Sequence, residues 1–271
     1  MRKFPLTWLY APGDRPEVVT KALAAGADVV IIDLEDAVAP DRKSYARAAT
    51  AERLADPHPH RIHVRVNAAH TPWSRADLTA LSPLPGVSAL RLPKITTPGD
   101  VTATADALAR NLPLYALLES ALAIEHAYAI ARSHPALRGI ALGEADLRAD
   151  LNATSDEALA WPRSRAIVAA RAASLPPPPQ SVHPHTKDLA ALAATSAQGR
   201  RLGFLGRAAI HPRQLPVIES AYLPTQEEIE KAESILKAAE RNEGAQALPD
   251  GTFIDKAVLE AAHRTLALTA P

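Results

Sequence analysis

The chain has 271 residues, 47% hydrophobic and 22% charged, enough to bury a large core in one big domain or two small ones. Thirty basic and thirty acidic side chains cancel, which removes the net positive field expected of a nucleic-acid or anionic-membrane binder and leaves a small molecule as the expected partner. Cysteine is absent, so disulfides, thiolate nucleophiles and cysteine-bound metal sites are excluded, in agreement with a cytoplasmic location.

The N-terminal stretch "MRKFPLTWLYAPGDRPE" has Pro5 inside its apolar part and runs into a charged loop, unlike a secretory leader. No apolar run approaches the roughly 18 residues of a membrane span. "TWLYAP" is the first of eight short apolar runs; the others are "DVVIIDLE", "RIHVRVN", "SALRLPK", "PLYALLES", "LRGIALGE", "QSVHP" and "GRAAIHP". Between them lie alanine-rich stretches with helical spacing, such as "PEVVTKALAAG", "ALAIEHAYAIARS" and "DLAALAATSAQGRRLG", several ending at Gly or Asn. Eight strand–helix units without a composition break predict a (β/α)8 TIM barrel, of the α/β class, over residues 1–222. A doubly wound open sheet is the competing arrangement, but neither G-x-G-x-x-G nor G-x-x-x-x-G-K-[ST] occurs, which counts against a dinucleotide or nucleoside triphosphate. "PPPP" at 176–179 reads as a stiff connection into a weak seventh strand. In the C-terminal extension, residues 223–271, Thr225 followed by Glu228 is a capping box and Gly244 can end that helix. Two helices here exceed what a barrel needs, and are expected to cover its mouth or dock on another subunit.

Polar groups recur just after the apolar runs: Arg15 beyond the first, Asp33, Glu35 and Asp36 on the second, Arg65 and Asn67 on the third, Lys94 on the fourth, Glu119 on the fifth, Asp146 past the sixth and His211 past the eighth. In a barrel those strand ends converge on one mouth, where active sites form. Glu119 and Asp146, from consecutive units, can offer two oxygen ligands to one magnesium ion, which commonly takes one or two carboxylates and leaves other positions to water and substrate. Each could instead cap the helix that follows, and Arg65 and Lys94 could be core-edge salt-bridge residues; together, at one rim, the four favour a metal site. Within "DLED" one acid is expected to cap or brace Arg15 or Lys94 and another to reach a metal-bound water. The alternative is an N-cap cluster for the helix after Pro40, a task Asp41 could perform unaided. His58, His60, His63, His183 and His185 lack metal-ligand spacing and read as surface or rim residues, and Ser120 and Ser164 lack a nucleophile-elbow context. Lys94 also leaves a Schiff-base aldolase open.

The words "WLYAPGDRPE", "GADVVIIDLEDAV", "VRVNA", "LPK", "ALLES", "GEADLRADL", "RSRAIVAARAA", "AIHPRQ", "PTQEE" and "DGTFIDKAVLEAA" follow one another over nearly the whole length. In this the chain resembles the citrate lyase β-subunit-like proteins of the HpcH/HpaI aldolase superfamily. The resemblance implies a barrel, magnesium held by Glu119 and Asp146, and Arg65 holding substrate oxygens near the metal. It further implies that Arg15 and Lys94 shape the anionic substrate and thioester end, and that Asp255 serves the adjoining subunit of a homotrimer or hexamer. The expected catalytic residues are thus Glu35, Arg65 and Asp255, and the expected substrate-binding ones Arg15, Asp33, Asp36, Arg65 and Lys94. The implied activity is a carbon–carbon lyase that cleaves a citryl, citramalyl or malyl thioester of CoA or an acyl-carrier protein to a 2-oxoacid and an acetyl thioester. A malyl-CoA-type thioesterase and a carrier-dependent subunit of a citrate lyase complex are the alternatives within the resemblance. Two departures stand out: Gln180 replaces a usual acid, and Ser120 a usual Thr.

Overall fold

Runs of four or five apolar residues can be buried throughout only in strands covered on both faces, the signature of a parallel sheet. The computed structural model, which describes residues 4–240, 246–247 and 253–269, contains seven parallel strands in one sheet. They are β1 (Thr7–Pro12), β2 (Val29–Asp33), β3 (Ile62–Arg65), β4 (Ala89–Leu92), β5 (Leu114–Leu118), β6 (Leu137–Leu142) and β7 (Arg207–Ala209). All five residues of β2 and all four of β4 are buried. Helices alternate with the strands: α1 (Pro16–Leu23), α2 (Lys43–Arg53), α3 (Ser74–Leu81), α4 (Pro98–Asp106), α5 (Ala121–Glu125), α6 (Ala127–Ala131), α7 (Glu144–Asp150), α8 (Ala160–Ala172), α9 (Leu189–Leu202) and α10 (Leu215–Tyr222). Their ends follow local chemistry. Asp188 caps α9 by accepting from the Ala191 amide at 2.9 Å, and Gly203, at φ 106°, closes it in the left-handed region where a side chain would be strained.

The strand order is β6-β5-β4-β3-β2-β1-β7, every pair parallel, giving a curled half-barrel. This corrects the expectation of eight paired strands. The seventh apolar run contributes only one isolated bridge, Gln180 to Arg207, because Pro176–Pro179 and Pro184 on either side have no amide to give a ladder. Its tie to the other edge of the sheet is a side chain, Ser181 Oγ donating to the Leu142 carbonyl at 2.6 Å. Register places Asp33 beside Arg65 and Arg65 beside Arg91, so three charged residues follow one another across β2, β3 and β4.

The strands and α1–α9 belong to a compact unit, Leu6–Ala221. A second unit, from Tyr222 onward, holds α11 (Gln226–Glu240), a short antiparallel pair β8 (Gln246–Ala247) and β9 (Phe253–Ile254), and α12 (Lys256–Ala267). Ala232, Ile235, Ile254 and Ala262 form its core. The capping box is formed: the Thr225 amide donates to Glu228 at 2.7 Å, and the Glu228 amide to Thr225 Oγ1 at 3.2 Å. Gly244 lies outside the described residues. Among those described, no helix is long and apolar enough to cross a membrane.

Candidate active site

The three acids that leave β2 converge on one guanidinium. Arg65 Nε donates to Asp33 Oδ1 at 2.8 Å and Nη2 to Asp33 Oδ2 at 2.6 Å, a bidentate pair, while Nη1 reaches Asp36 at 3.3 Å. Asp33, 1% exposed, also accepts from the amides of Glu35 and Ala37, so one carboxylate folds the "DLED" turn and aims the arginine. Of the acids in this turn it is Glu35 that faces Lys94, at 4.0 Å, while Asp33 holds Arg65; the N-cap reading is corrected, since Ala39 precedes the turn at Pro40 with no side-chain cap. The turn is held from below by Lys43, a buried lysine whose Nζ donates to the carbonyls of Leu34 at 2.7 Å and Glu35 at 2.6 Å.

Glu35 Oε2 lies 3.0 Å from Arg65 Nη1 without the alignment of a hydrogen bond, and its Oε1 lies 4.0 Å from Lys94 Nζ. Burial raises the Glu35 carboxyl to about 8; Arg65 and Lys94 pull it down, while Asp36 and Glu119 push it up. Burial also opposes the Arg65 charge, but Asp33, by field and hydrogen bond, holds the guanidinium pKa well above its ordinary value.

Lys94 stands between the two proposed metal ligands. Its Nζ is 2.9 Å from Asp146 Oδ1 and 3.7 Å from Glu119 Oε2, and its amide donates to Glu119 Oε2 at 2.8 Å. The residue is strained at φ 55°, a region disfavoured for side chains other than glycine and concentrated at functional sites. Burial tends to lower the Lys94 pKa, but the bond to Asp146 and the fields of Glu119 and Glu35 outweigh it and raise it. Glu119 is not a helix cap: Ser120 caps α5 through the Ala123 amide at 3.3 Å, whereas Glu119 is buried and its pKa raised mainly by that burial. Asp146 sits in the first turn of α7 with its carboxylate on Lys94.

A divalent ion fits this donor set. Two hard carboxylates already meet at one cationic group, and Gly143 leaves Glu119 its place, since a Cβ there would lie 2.4 Å from Glu119 Oε1. Among the described residues no cluster of three or more His, Cys, Asp or Glu could hold a metal, so the protein would supply two ligands and leave the rest open.

The other expected residues fall outside this cluster. Arg15 is exposed at the N-cap of α1 and makes no side-chain bond to it, Asn67 is tied to Asp77 by two bonds of 2.9 and 2.7 Å, and His211 caps the short turn at Pro212. Asp255 is exposed and caps α12, accepting from the Val258 amide at 2.9 Å. His63 is buried, not on the surface, and packs against Trp8 and Tyr115 at 5.4 and 4.8 Å, whereas His183, also buried, lines the cavity with His185.

Sequence reasoning missed two features. Arg163, on α8, binds Glu144 through both oxygens at 2.8 and 2.7 Å and Asp156 at 2.6 Å, bracing the loop beside Asp146. Arg91, on β4, is 1% exposed and lines, with Asp33, Arg65, Glu119 and Asp146, a cavity of about 710 Å³. The lone arginine in "SALRLPK" was the available signal for it.

A parallel α/β sheet whose strand ends open on a charged cavity has the build of an α/β enzyme for small anionic substrates. Residues 6–212 match the family model for HpcH/HpaI aldolase/citrate lyase, and the chain belongs to that family. It is 38% identical over 268 residues to the (3S)-malyl-CoA thioesterase of Cereibacter sphaeroides (strain ATCC 17029 / ATH 2.4.9), covering 96% of this chain and 92% of the relative. The structure of CitE from Mycobacterium tuberculosis in complex with magnesium, acetoacetate and coenzyme A superposes with a TM-score of 0.86 at 33% identity, covering 100% of both chains. The citrate lyase β subunit from the same organism, complexed with oxaloacetate and magnesium, gives 0.73 at 33% identity, covering 82% of this chain and 99% of that one.

Proposed function

We propose that this chain is a magnesium-dependent carbon–carbon lyase that splits a 3-hydroxyacyl thioester, of the citryl, citramalyl or malyl type, into a 2-oxoacid and an acetyl thioester. The observation that carries the reading is the meeting of Glu119 and Asp146 at one cationic group beside an arginine fixed by Asp33. The magnesium complexes of its structural relatives support it. Glu119 and Asp146 would hold the magnesium ion, which when bound would supply Lewis-acid charge at the oxoacid end.

The chain's own residues account for the remaining steps. The 3-hydroxyl loses its proton, the C2–C3 bond breaks, its electron pair passes to the thioester as an enolate, and C2 is protonated. Arg65, cationic throughout and immobilised by Asp33, supplies fixed positive charge where the oxyanion develops. Glu35, whose carboxyl burial raises to about 8 and whose Oε2 is free of hydrogen bonds, takes the hydroxyl proton as carboxylate and returns it to C2 as acid. Lys94, held cationic by three carboxylates, steers the substrate's anionic end; a Schiff-base nucleophile needs the neutral amine, so that alternative loses its support. On the same reading Arg15 meets the thioester end, Asp36 borders the substrate, and Asp255 completes a neighbouring subunit's site in a trimer or hexamer. The eight-unit ring, with the Gln180 segment as its reduced seventh stave, and a cytoplasmic location belong to it as well.

A second reading, hydrolysis of a malyl-CoA-like thioester in the same cavity, is favoured by the relative of 38% identity named as a thioesterase. Product analysis separates the two. Purified protein with magnesium and citryl-, citramalyl- or malyl-CoA should accumulate acetyl-CoA and a 2-oxoacid. Free CoA with an intact hydroxyacid marks the hydrolase, and activity confined to carrier-protein thioesters marks a complex subunit. Turnover that survives EDTA, or none on any thioester, contradicts the proposal.

A further inference from the structure

Arg65 is fully engaged by acids, but a second guanidinium in the same cavity is not. Arg91 Nε and Nη1 are buried without a hydrogen-bond partner, and no carboxylate among the described residues pairs with it. It lies against aromatic faces: the guanidinium is 4.9 Å from the Trp8 ring centroid and 5.5 Å from that of Tyr115. Trp8 Nε1 and His63 Nδ1, in rings 5.4 Å apart, are buried without partners too. A desolvated cation with open donors is costly to leave uncompensated, whereas the planar fork of arginine matches a carboxylate. The aromatic faces offset part of that cost but leave the in-plane N–H groups unused.

We propose that Arg91 forms the floor of the substrate cavity and binds a second carboxylate of the oxoacid fragment, so that the site selects substrates releasing a dicarboxylic 2-oxoacid over those releasing a monocarboxylic one. The inference rests on the lyase reading for the identity of the substrate, not for the existence of the subsite. The first carboxylate goes to the rim, where Glu119 and Asp146 would hold magnesium and where Arg65 and Lys94 supply charge. The Arg91 backbone is in register with Arg65, but its guanidinium lies against Trp8 and Tyr115, each the second residue of its strand, so it reaches below the rim while lining the same cavity. Citryl and citramalyl thioesters form the diagnostic pair, because they differ only in a carboxylate on the terminal carbon.

The test is equilibrium binding of oxaloacetate and pyruvate to the magnesium-loaded protein by calorimetry, which needs no turnover, with kcat/KM for citryl- and citramalyl-CoA alongside. Wild type should favour oxaloacetate over pyruvate at least tenfold, Arg91→Leu should reduce that ratio toward one, and the citryl/citramalyl ratio should fall in parallel. Equal binding of the two oxoacids by wild type, or a ratio unchanged in Arg91→Leu, overturns the proposal. Should Arg91→Leu not fold, Arg91→Lys, which keeps the charge and loses the fork, carries the test: a several-fold smaller ratio supports the subsite and an unchanged one overturns it. Arg91-dependent discrimination between oxoacids in a protein that turns over no thioester would refute the lyase reading and leave the subsite standing.

Discussion

At the scale of single residues, the site depends on where charge is fixed and where a proton can move. Arg65→Lys keeps the charge but loses the two-pronged bond to Asp33, so kcat should fall about a hundredfold, an effect of about 3 kcal/mol, while circular dichroism stays unchanged. Glu35 gives a stability prediction of definite sign. Its carboxyl, raised by burial from 4.5 to about 8, holds a proton in the native chain that the unfolded chain has already released, so its stabilising contribution is complete below 4.5 and is lost as pH rises toward about 8. Glu35→Gln is neutral throughout. Its Tm relative to wild type, measured without metal, should therefore climb across that window by about 2 °C or more. Glu35, Arg65, Lys94, Glu119 and Asp146 were legible because charges at the exit of an apolar run contradict the burial of that run. Arg91, His63 and Trp8 were not, because in runs of four to six residues alternation does not tell which face of a curled sheet is the interior. The aromatic neighbours that hold Arg91 come from β1 and β5, far away in sequence.

At the scale of elements, the turns after the strands set the geometry. Gly143, between β6 and α7, is the place where Glu119 lies against bare backbone, and a methyl group there would stand 2.4 Å from its Oε1. Gly143→Ala should therefore weaken magnesium binding at least tenfold by calorimetry while the strands remain folded. In the C-terminal unit, Asp255→Ala removes the cap of α12 and should cost about 1 kcal/mol, read as faster amide exchange in Lys256–Leu259. Caps such as Thr225 with Glu228 were readable from spacing alone, because an N-cap is a contact across three residues. The seventh strand was over-read. Its apolar pattern was sound, but four prolines before it leave too few amides for a ladder.

At the scale of the whole molecule, the curled parallel order brings one side of the chain's chemistry to a single cavity: acids from β2, arginines from β3 and β4, and carboxylates following β5 and β6. The order of the units along the chain is also their order in the sheet from β1 to β6, which is why alternation of runs was enough to read the architecture. The central claim is that Glu119 and Asp146 together hold one divalent ion. Isothermal titration of magnesium into metal-free protein, with oxaloacetate present, tests it most directly. One ion should bind per chain, and Glu119→Gln and Asp146→Asn should each abolish that binding. No binding by wild type, or undiminished binding by both variants, would contradict the account.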